Sequence, residues 1–249
     1  MRITAIIPTF NEEIHIEAAI QSVSFADEII VIDSFSTDAT VKLAARHKVK
    51  IVQRVFDDFS SQKNYAIEQA KHDWIYVLDA DERVSNELRE EILNIDLETT
   101  NNVGFYVKRV FYFLNKKIKF SGWQRDKVIR LFDKKYCRYN GLPVHELIDA
   151  KGSVGSFRGE VNHYSYRDSD HYILKLDAYA LLQAKNLQEQ NKKVTAFHEF
   201  VKPPVRFLIH YIIRLGFLDG KAGVTMAKTQ AYAVSKRYAL LKELNKKEN

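Results

Sequence analysis

The hydrophobic positions of this chain fall in short apolar runs, each ended by a polar cluster and followed by a stretch at helical spacing. Arg2 to Ile7 predicts a strand that stops at Pro8-Thr9-Phe10-Asn11-Glu12-Glu13. Asn11 there reads as an N-cap, with Glu12 and Glu13 in a first turn where the helix dipole favours acid. Ile16, Ala19, Ile20 and Val23 keep the spacing of one helix face. Glu28 to Ile32 predicts a second strand, which runs into Asp33-Ser34-Phe35-Ser36-Thr37-Asp38 and then a helix with Val41, Ala44 and Ala45 inward. Lys50 to Val55 predicts a third strand. A helix with Ala66, Ile67 and Ala70 on one face leads to Trp74 to Leu78. That run has no polar alternation, which marks a strand buried on both faces. It ends abruptly in Asp79-Ala80-Asp81-Glu82. Strands alternating with helices in this way imply a parallel sheet with right-handed crossovers.

Beyond a helix expected over Ser85 to Ile95 the pattern changes. Val103 to Lys108, Val110 to Leu114 and Val128 to Phe132 are aromatic-rich strand candidates separated by charged turns. Asp133-Lys134-Lys135 predicts a hairpin turn into Tyr136 to Tyr139, and Asn140-Gly141-Leu142-Pro143 a loop. With Val144 to Ile148 and Gly159 to Tyr164 the second half reads as mixed or antiparallel. From Ser169 the chain reads as helical, Ile173, Leu174, Leu176, Ala180, Leu181 and Ala184 sharing a broad face. Pro203-Pro204 ends one segment and opens another over Val205 to Phe217. There Phe207, Leu208, Tyr211, Ile212 and Leu215 form an apolar stripe edged by Arg206, His210 and Arg214. Val224 to Leu244 predicts a final helix. The expected organisation is an α/β domain over 1–168, with a ligand-binding half to about residue 100, and a helical extension over 169–249.

Composition changes this picture little: 46% hydrophobic and 28% charged residues in 249 are ordinary for a globular chain with an ample core. The lone Cys137 rules out an internal disulfide and fits a reducing compartment. Pro8 and Asn11 interrupt the first apolar run too early for a signal peptide, and no run approaches the roughly eighteen residues of a membrane span. Charge changes it more. Residues 185–249 carry 13 basic and 5 acidic side chains, net +8, whereas residues 1–184 carry 25 and 27, net −2. Such asymmetry calls for an anionic partner, nucleic acid or a membrane surface. An apolar stripe suits lipid or core packing better than stacking on bases, so no nucleic acid is expected.

The candidate chemistry sits at three strand ends, Thr9/Asn11, Asp33/Asp38 and Asp79/Asp81, the edge where open α/β sheets bind ligands. Asp79 and Asp81 are two apart, so in extended backbone they leave the same face. Two carboxylates with open positions left over suit Mg²⁺ or Mn²⁺ drawing its other oxygens from a diphosphate. The plain alternative is an acidic loop before the helix that Ser85 starts.

Ile6 to Glu13, Val31 to Asp38 and Trp74 to Glu82, taken in order and spacing, resemble the family 2 glycosyltransferases. Within that family the chain is similar to small transferases that add β-linked glucose to heptose in lipopolysaccharide core assembly. Asn140-Gly141-Leu142-Pro143-Val144-His145-Glu146, His163-Tyr164-Ser165-Tyr166 and Gly216-Phe217-Leu218-Asp219-Gly220 carry that closer likeness. The resemblance covers roughly residues 3–225. It implies a GT-A fold, a mostly parallel Rossmann-like sheet with a mixed second half. It also implies a metal-dependent, inverting hexosyl transfer from a UDP-sugar, by family UDP-glucose, to a saccharide or glycolipid acceptor of the cell envelope. By the same resemblance Pro8, Thr9, Asn11 and Glu12 shape the nucleotide pocket, Asp33 accepts from uracil, and Asp79 faces the ribose or sugar. Asp81 holds the metal, with His163 as a second metal or phosphate ligand, and Glu146 is the base. The expected location is cytoplasmic, with peripheral contact at the anionic inner face of the cytoplasmic membrane.

Structural readings stand beside these. Asp33 would serve as a turn cap, Glu146 as a salt-bridged strand residue, and His163 and His145 as structural histidines. Arg125 and Arg130 read as solvated or acid-paired, and Lys63 is near the pocket by motif position alone. A sugar-nucleotide pyrophosphorylase would open with a glycine-rich loop, and Pro8-Thr9-Phe10-Asn11 has no glycine. A polyprenyl-phosphate transferase, which needs no base, and a non-enzymatic nucleotide-sugar-binding module remain the alternatives.

Overall fold

The computed structural model describes residues 2–113, 116–122, 126–142, 146–164 and 169–247. Arg125, Pro143, Val144, His145, Ser165 and Tyr166 lie outside the described residues. By internal contact the chain forms two units, Met1–Arg109 with Asp126–His163, and Val110–Arg125 with Tyr164–Asn249. Residues 110–125 thus group with the helices, whereas the sequence draws its boundary at 168/169.

In the first unit β1 (Ile3–Thr9), β2 (Glu28–Asp33), β3 (Lys50–Gln53) and β4 (Trp74–Val77) are parallel, in the order β3-β2-β1-β4. The helices α1 (Ile16–Ser22), α2 (Thr40–Ala44) and α3 (Phe59–Glu68) make the crossovers. Every residue of β4 is buried, as its unbroken apolar run requires. Next to β4 the direction reverses. There β8 (Lys127–Asp133) lies antiparallel, followed by β6 (Asn102–Phe113, of which the part to Arg109 belongs to this unit), β11 (Ser153–His163) and β5 (Glu82–Val84). The helix α4 (Asn86–Asn94) starts at Ser85, whose hydroxyl accepts from the Leu88 N–H. A two-stranded sheet joins β9 (Cys137–Tyr139) to β10 (Ile148–Ala150). This is the α/β architecture with a mixed second half that the sequence predicts.

Three local expectations are corrected. Asn11 is not an N-cap: its φ is 55°, its Oδ1 accepts from the Thr37 N–H at 2.8 Å, and α1 begins only at Ile16. The loop after β1 is held by the loop after β2 instead of by its own helix. Second, the charged turn expected at Arg109, directly after Lys108, does not form. β6 runs through both, because Glu160 and Asp126 accept from them at 2.6 and 2.7 Å and neutralise their charge within the sheet. Third, Asp133 to Tyr136 does close a turn, but Cys137 to Tyr139 pairs with β10 and not back on β8.

In the second unit the long helices α5 (Ser169–Glu189) and α7 (Lys221–Lys247) pack together, with Ala184 buried beside Tyr238 and Leu241. Between them helical turns run over Phe197–Val201, α6 (Lys202–Leu208) and Ile209–Ile213. Helical structure therefore starts before Pro203-Pro204, which occupy the first turn of α6, where a missing N–H costs little. Asp219 is buried and accepts from the Lys119 and Phe120 N–H groups at 2.9 and 3.0 Å and from the Ser121 hydroxyl. It fastens the segment after the short strand β7 (Lys116–Lys117) to the following helix. A Cβ on Gly223 would stand 1.8 Å from the Gly216 carbonyl oxygen, so Gly216-Phe217-Leu218-Asp219-Gly220 is a close-packing device.

His210 is buried in this unit; its Nδ1 donates to the Ser121 carbonyl at 3.0 Å and its Nε2 accepts from Arg214 at 3.3 Å. Both bonds suit a neutral ring. Burial first, then the Arg206 and Arg214 cations, push its pKa down to about 4. An unfolded histidine titrates near 6.5, so between the two values the unfolded chain binds a proton that the native one refuses. Stability present above pH 6.5 should therefore fall by on the order of 2 kcal/mol towards pH 4. In urea titrations at pH 7.0, 5.5 and 4.5, His210→Gln should flatten that part of the slope.

Candidate active site

The buried run of β4 delivers Asp79 to Glu82 to the carboxyl edge of the sheet, where the chain leaves extended conformation. The Glu82 N–H donates to the Asp79 carbonyl at 2.9 Å, and the Glu82 carboxylate accepts from the Asp79 N–H at 3.2 Å. This turn corrects the expectation that Asp79 and Asp81 leave the same face of an extended strand: they engage different partners.

Asp79 accepts from Arg130 Nη2 at 2.8 Å and lies 3.3 Å from Lys63 Nζ. Arg130, on β8, is buried, and the same nitrogen donates to Glu82, which is fully buried. Arg109 stands 3.8 Å from Glu82 and is itself paired with Asp126. Burial opposes every charge here, and the charges answer one another. Lys63 and Arg130 overcome burial to hold the Asp79 carboxyl well below the usual carboxylate range. Burial prevails at Glu82 and pushes its carboxyl up despite Arg130.

Lys63 is also buried and donates from Nζ to Glu146 Oε1 at 2.7 Å. Burial disfavours its charge, but Asp79, ahead of Glu146, raises its pKa. One ammonium therefore joins a carboxylate at the end of β4 to one on the loop after β9. The same face of α3 fixes that loop. Asn64 exchanges two hydrogen bonds with the Tyr139 backbone, at 3.0 and 3.1 Å, and the Ser60 hydroxyl donates to the Leu142 carbonyl at 2.8 Å.

Asp81 pairs with His163, Oδ2 to Nε2 at 3.3 Å. The register explains it, since His163 of β11 lies opposite Glu82 of β5, next to Asp81. Burial works against the imidazolium, and Asp81, then Glu82, outweigh it and lift the His163 pKa. Among the described residues no cluster of three or more His, Cys, Asp or Glu is arranged to hold a metal. A carboxylate with an imidazole that has given up its proton would suit a divalent transition metal such as Mn²⁺, leaving positions for diphosphate oxygens and water. Asp79, committed to two cations, is not part of that set.

At the neighbouring strand ends Pro8 and Thr9 pair in register with Ile32 and Asp33. Thr9 is buried and its hydroxyl has no hydrogen-bond partner among the described residues, an opening for a ligand. Asp33, fully buried, accepts from the Ser36 N–H at 3.0 Å, the Ser36 hydroxyl and Gln53 Nε2 at 3.2 Å. Its turn-forming role is therefore real. An ionised carboxylate has about four acceptor sites, so one remains for a base. The Glu12 N–H donates to the Thr40 hydroxyl at 2.8 Å.

Sequence reasoning held acid pairing open for Arg130 and a salt bridge open for Glu146, but it gave Lys63 no support beyond motif position. Lys63 shares a helix face with Ala66, Ile67 and Ala70, and a lysine on a buried face demands acidic partners. Arg130 interrupts the buried run of β8 in the same way. Glu82 carried no signal beyond following Asp81.

This α/β sheet gathers acids at its carboxyl edge above a buried cation network, the place where open sheets of this kind bind ligands. The model of Glycosyl transferase family 2 matches residues 4–151, and the chain belongs to that family. An uncharacterized glycosyltransferase of Rickettsia typhi is 31% identical over 99% of this chain and 88% of its own length. The lipopolysaccharide core biosynthesis glycosyltransferase LpsC of Rhizobium meliloti is 28% identical over 96% of this chain and 93% of its own. Among solved structures, Staphylococcus aureus TarS 1–349 aligns over all of this chain and 92% of its own, at 15% identity and a TM-score of 0.49. Glucosyl-3-phosphoglycerate synthase of Mycobacterium tuberculosis, solved with Mn²⁺, UDP and product, aligns over 45% of this chain and 44% of its own. That match has 25% identity and a TM-score of 0.36.

Removing one partner from a buried ion network leaves a charge uncompensated, typically at a cost of about 3–5 kcal/mol. Arg130→Met should therefore lower the urea midpoint sharply, and adding Glu82→Leu should restore part of the loss. If Arg130→Met unfolds like the parent, the network is not what holds this edge.

Proposed function

We propose that this glycosyltransferase catalyses inverting transfer of glucose from UDP-glucose to a saccharide acceptor carried on a lipid, in lipopolysaccharide core assembly. The observation that carries this reading is the Lys63 ammonium shared by Glu146, at 2.7 Å, and Asp79, at 3.3 Å. Likeness to LpsC along nearly the whole chain supports the acceptor class.

Thr9, Asn11, Glu12 and Pro8 line the nucleotide end, and the free acceptor capacity of Asp33 takes an N–H of the uracil ring. Asp79, kept ionised by Lys63 and Arg130, accepts from the ribose or sugar hydroxyls. A divalent ion held by Asp81 and His163 would neutralise the charge that develops on the departing diphosphate. Glu146 removes the proton of the attacking hydroxyl. Lys63 occupies Oε1 of Glu146 and so orients the carboxylate, leaving Oε2 for the acceptor. Direct displacement needs no protein nucleophile, and buried Cys137, whose thiol burial pushes up to about 11, is unsuited to be one. A polyprenyl-phosphate acceptor would need no base, so an oriented Glu146 favours a hydroxyl acceptor. No helix among the described residues is long and apolar enough to cross a membrane. The enzyme would meet its acceptor from the cytoplasm, peripherally.

Glu146→Gln keeps the size and the hydrogen bond to Lys63 but removes basicity. Turnover should fall roughly 10²–10⁴-fold with donor affinity nearly unchanged; a loss under tenfold would place the base elsewhere. Asp81→Asn should abolish the Mn²⁺-dependent rise in melting temperature on adding UDP while leaving the unliganded melting temperature in place. If that rise persists in the mutant, Asp81 holds no metal.

A further inference from the structure

The helical run from Phe197 to Ile213 is inside out. Lys202, Arg206 and His210, four apart, turn inward within the second unit. Lys202 Nζ donates to the Tyr238 hydroxyl at 2.7 Å, Arg206 to Gln230 at 3.4 Å, and His210 to the Ser121 carbonyl. The opposite face is apolar and exposed. Phe197, Val201, Val205, Leu208 and Ile212 follow at helical spacing, between 40% and 55% exposed, with Phe200 beside them at 74%. This corrects the stripe read from sequence: Leu208 and Ile212 belong to it, whereas Phe207 and Tyr211 are half-buried and stacked on each other at 5.3 Å. Polar in and apolar out is the reverse of a water-facing helix, and soluble proteins rarely leave so continuous an apolar patch uncovered.

We infer that this face lies flat on an anionic lipid surface, Phe197 to Ile212 entering the headgroup–acyl boundary along about 22 Å at 1.5 Å per residue. Charge selects the occupant. Lys192 and Lys193 precede the stripe, Arg214 and Lys221 follow it, and all four are exposed. The two acids of residues 192–221 are engaged elsewhere, Glu199 with Lys242 and Asp219 with the backbone of Lys119 and Phe120. Both ends of the stripe are therefore positive. Pairing with a second copy in either direction would bring like charges together, whereas an anionic bilayer complements both ends. The surface stands on its own geometry and does not depend on the identity of donor or acceptor.

Vesicle sedimentation of the full chain tests this. With phosphatidylglycerol vesicles at low salt the protein should pellet, with phosphatidylcholine it should stay in the supernatant, and high salt should release it. The pair Phe200→Asp and Ile212→Asp, both at exposed positions, should weaken binding at least tenfold without moving the melting temperature. Lys192→Glu with Lys193→Glu should do so about tenfold with the apolar face intact. Parent protein that ignores anionic vesicles overturns the inference. So does a stable dimer by sedimentation velocity that Phe200→Asp with Ile212→Asp dissociates, which would make the face an interface between copies. Binding that survives both variant pairs would place the lipid contact elsewhere and overturn it as well.

Discussion

One buried guanidinium sets the terms for the catalytic edge. Asp79 and Glu82 stand three residues apart where the fully buried strand β4 ends, and burial alone would drive both to the protonated form. Arg130, reaching across from the antiparallel neighbour β8, donates from one nitrogen to both carboxylates. That bond requires β8 to lie against β4, so the reversal of strand direction after the parallel half is tied to the chemistry of the edge. The outcome is asymmetric: Asp79 is held ionised and Glu82 is pushed towards its neutral form. Asp79 thus keeps its charge while Glu82 takes up the structural role.

The second constraint is α3, which ties the parallel half to the loop that follows the small β9–β10 sheet. Its face Ser60-Lys63-Asn64 binds Leu142, Tyr139 and Glu146 by backbone hydrogen bonds and an ion pair, so Glu146 is held by a helix packed on the sheet. Lys63 touches both Asp79 and Glu146, which makes the two carboxylates electrostatic neighbours. A sugar binding between them would enter a region whose charges are already balanced and oriented, as electrostatic preorganisation requires.

The fold was largely legible in the sequence because its parallel half obeys simple periodicities: Trp74 to Leu78 could be nothing but a doubly buried strand, and Ser85 announced its helix. The polar clusters at the strand ends were legible too, since they sit where the apolar runs stop. What stayed hidden depends on contacts across the sheet. Arg109 looked like a turn because its partner, Asp126, is distant in sequence. Asn11 looked like a cap because its true partner is the Thr37 backbone. The turn that separates Asp79 from Asp81 is fixed by Glu82, and the inside-out helix is fixed by what α7 offers to Lys202 and Arg206. Local pattern contains none of these.

In the proposed single displacement Glu146 deprotonates the acceptor and no covalent intermediate forms on the protein. The stereochemistry of the product reports this directly. With UDP-glucose, in which the sugar is α-linked, proton NMR of the newly formed anomeric centre should show the large H1–H2 coupling of a β-glucoside from the first turnover. A small coupling, that of an α-glucoside, would mean retention of configuration and would contradict the single displacement and with it the role of Glu146.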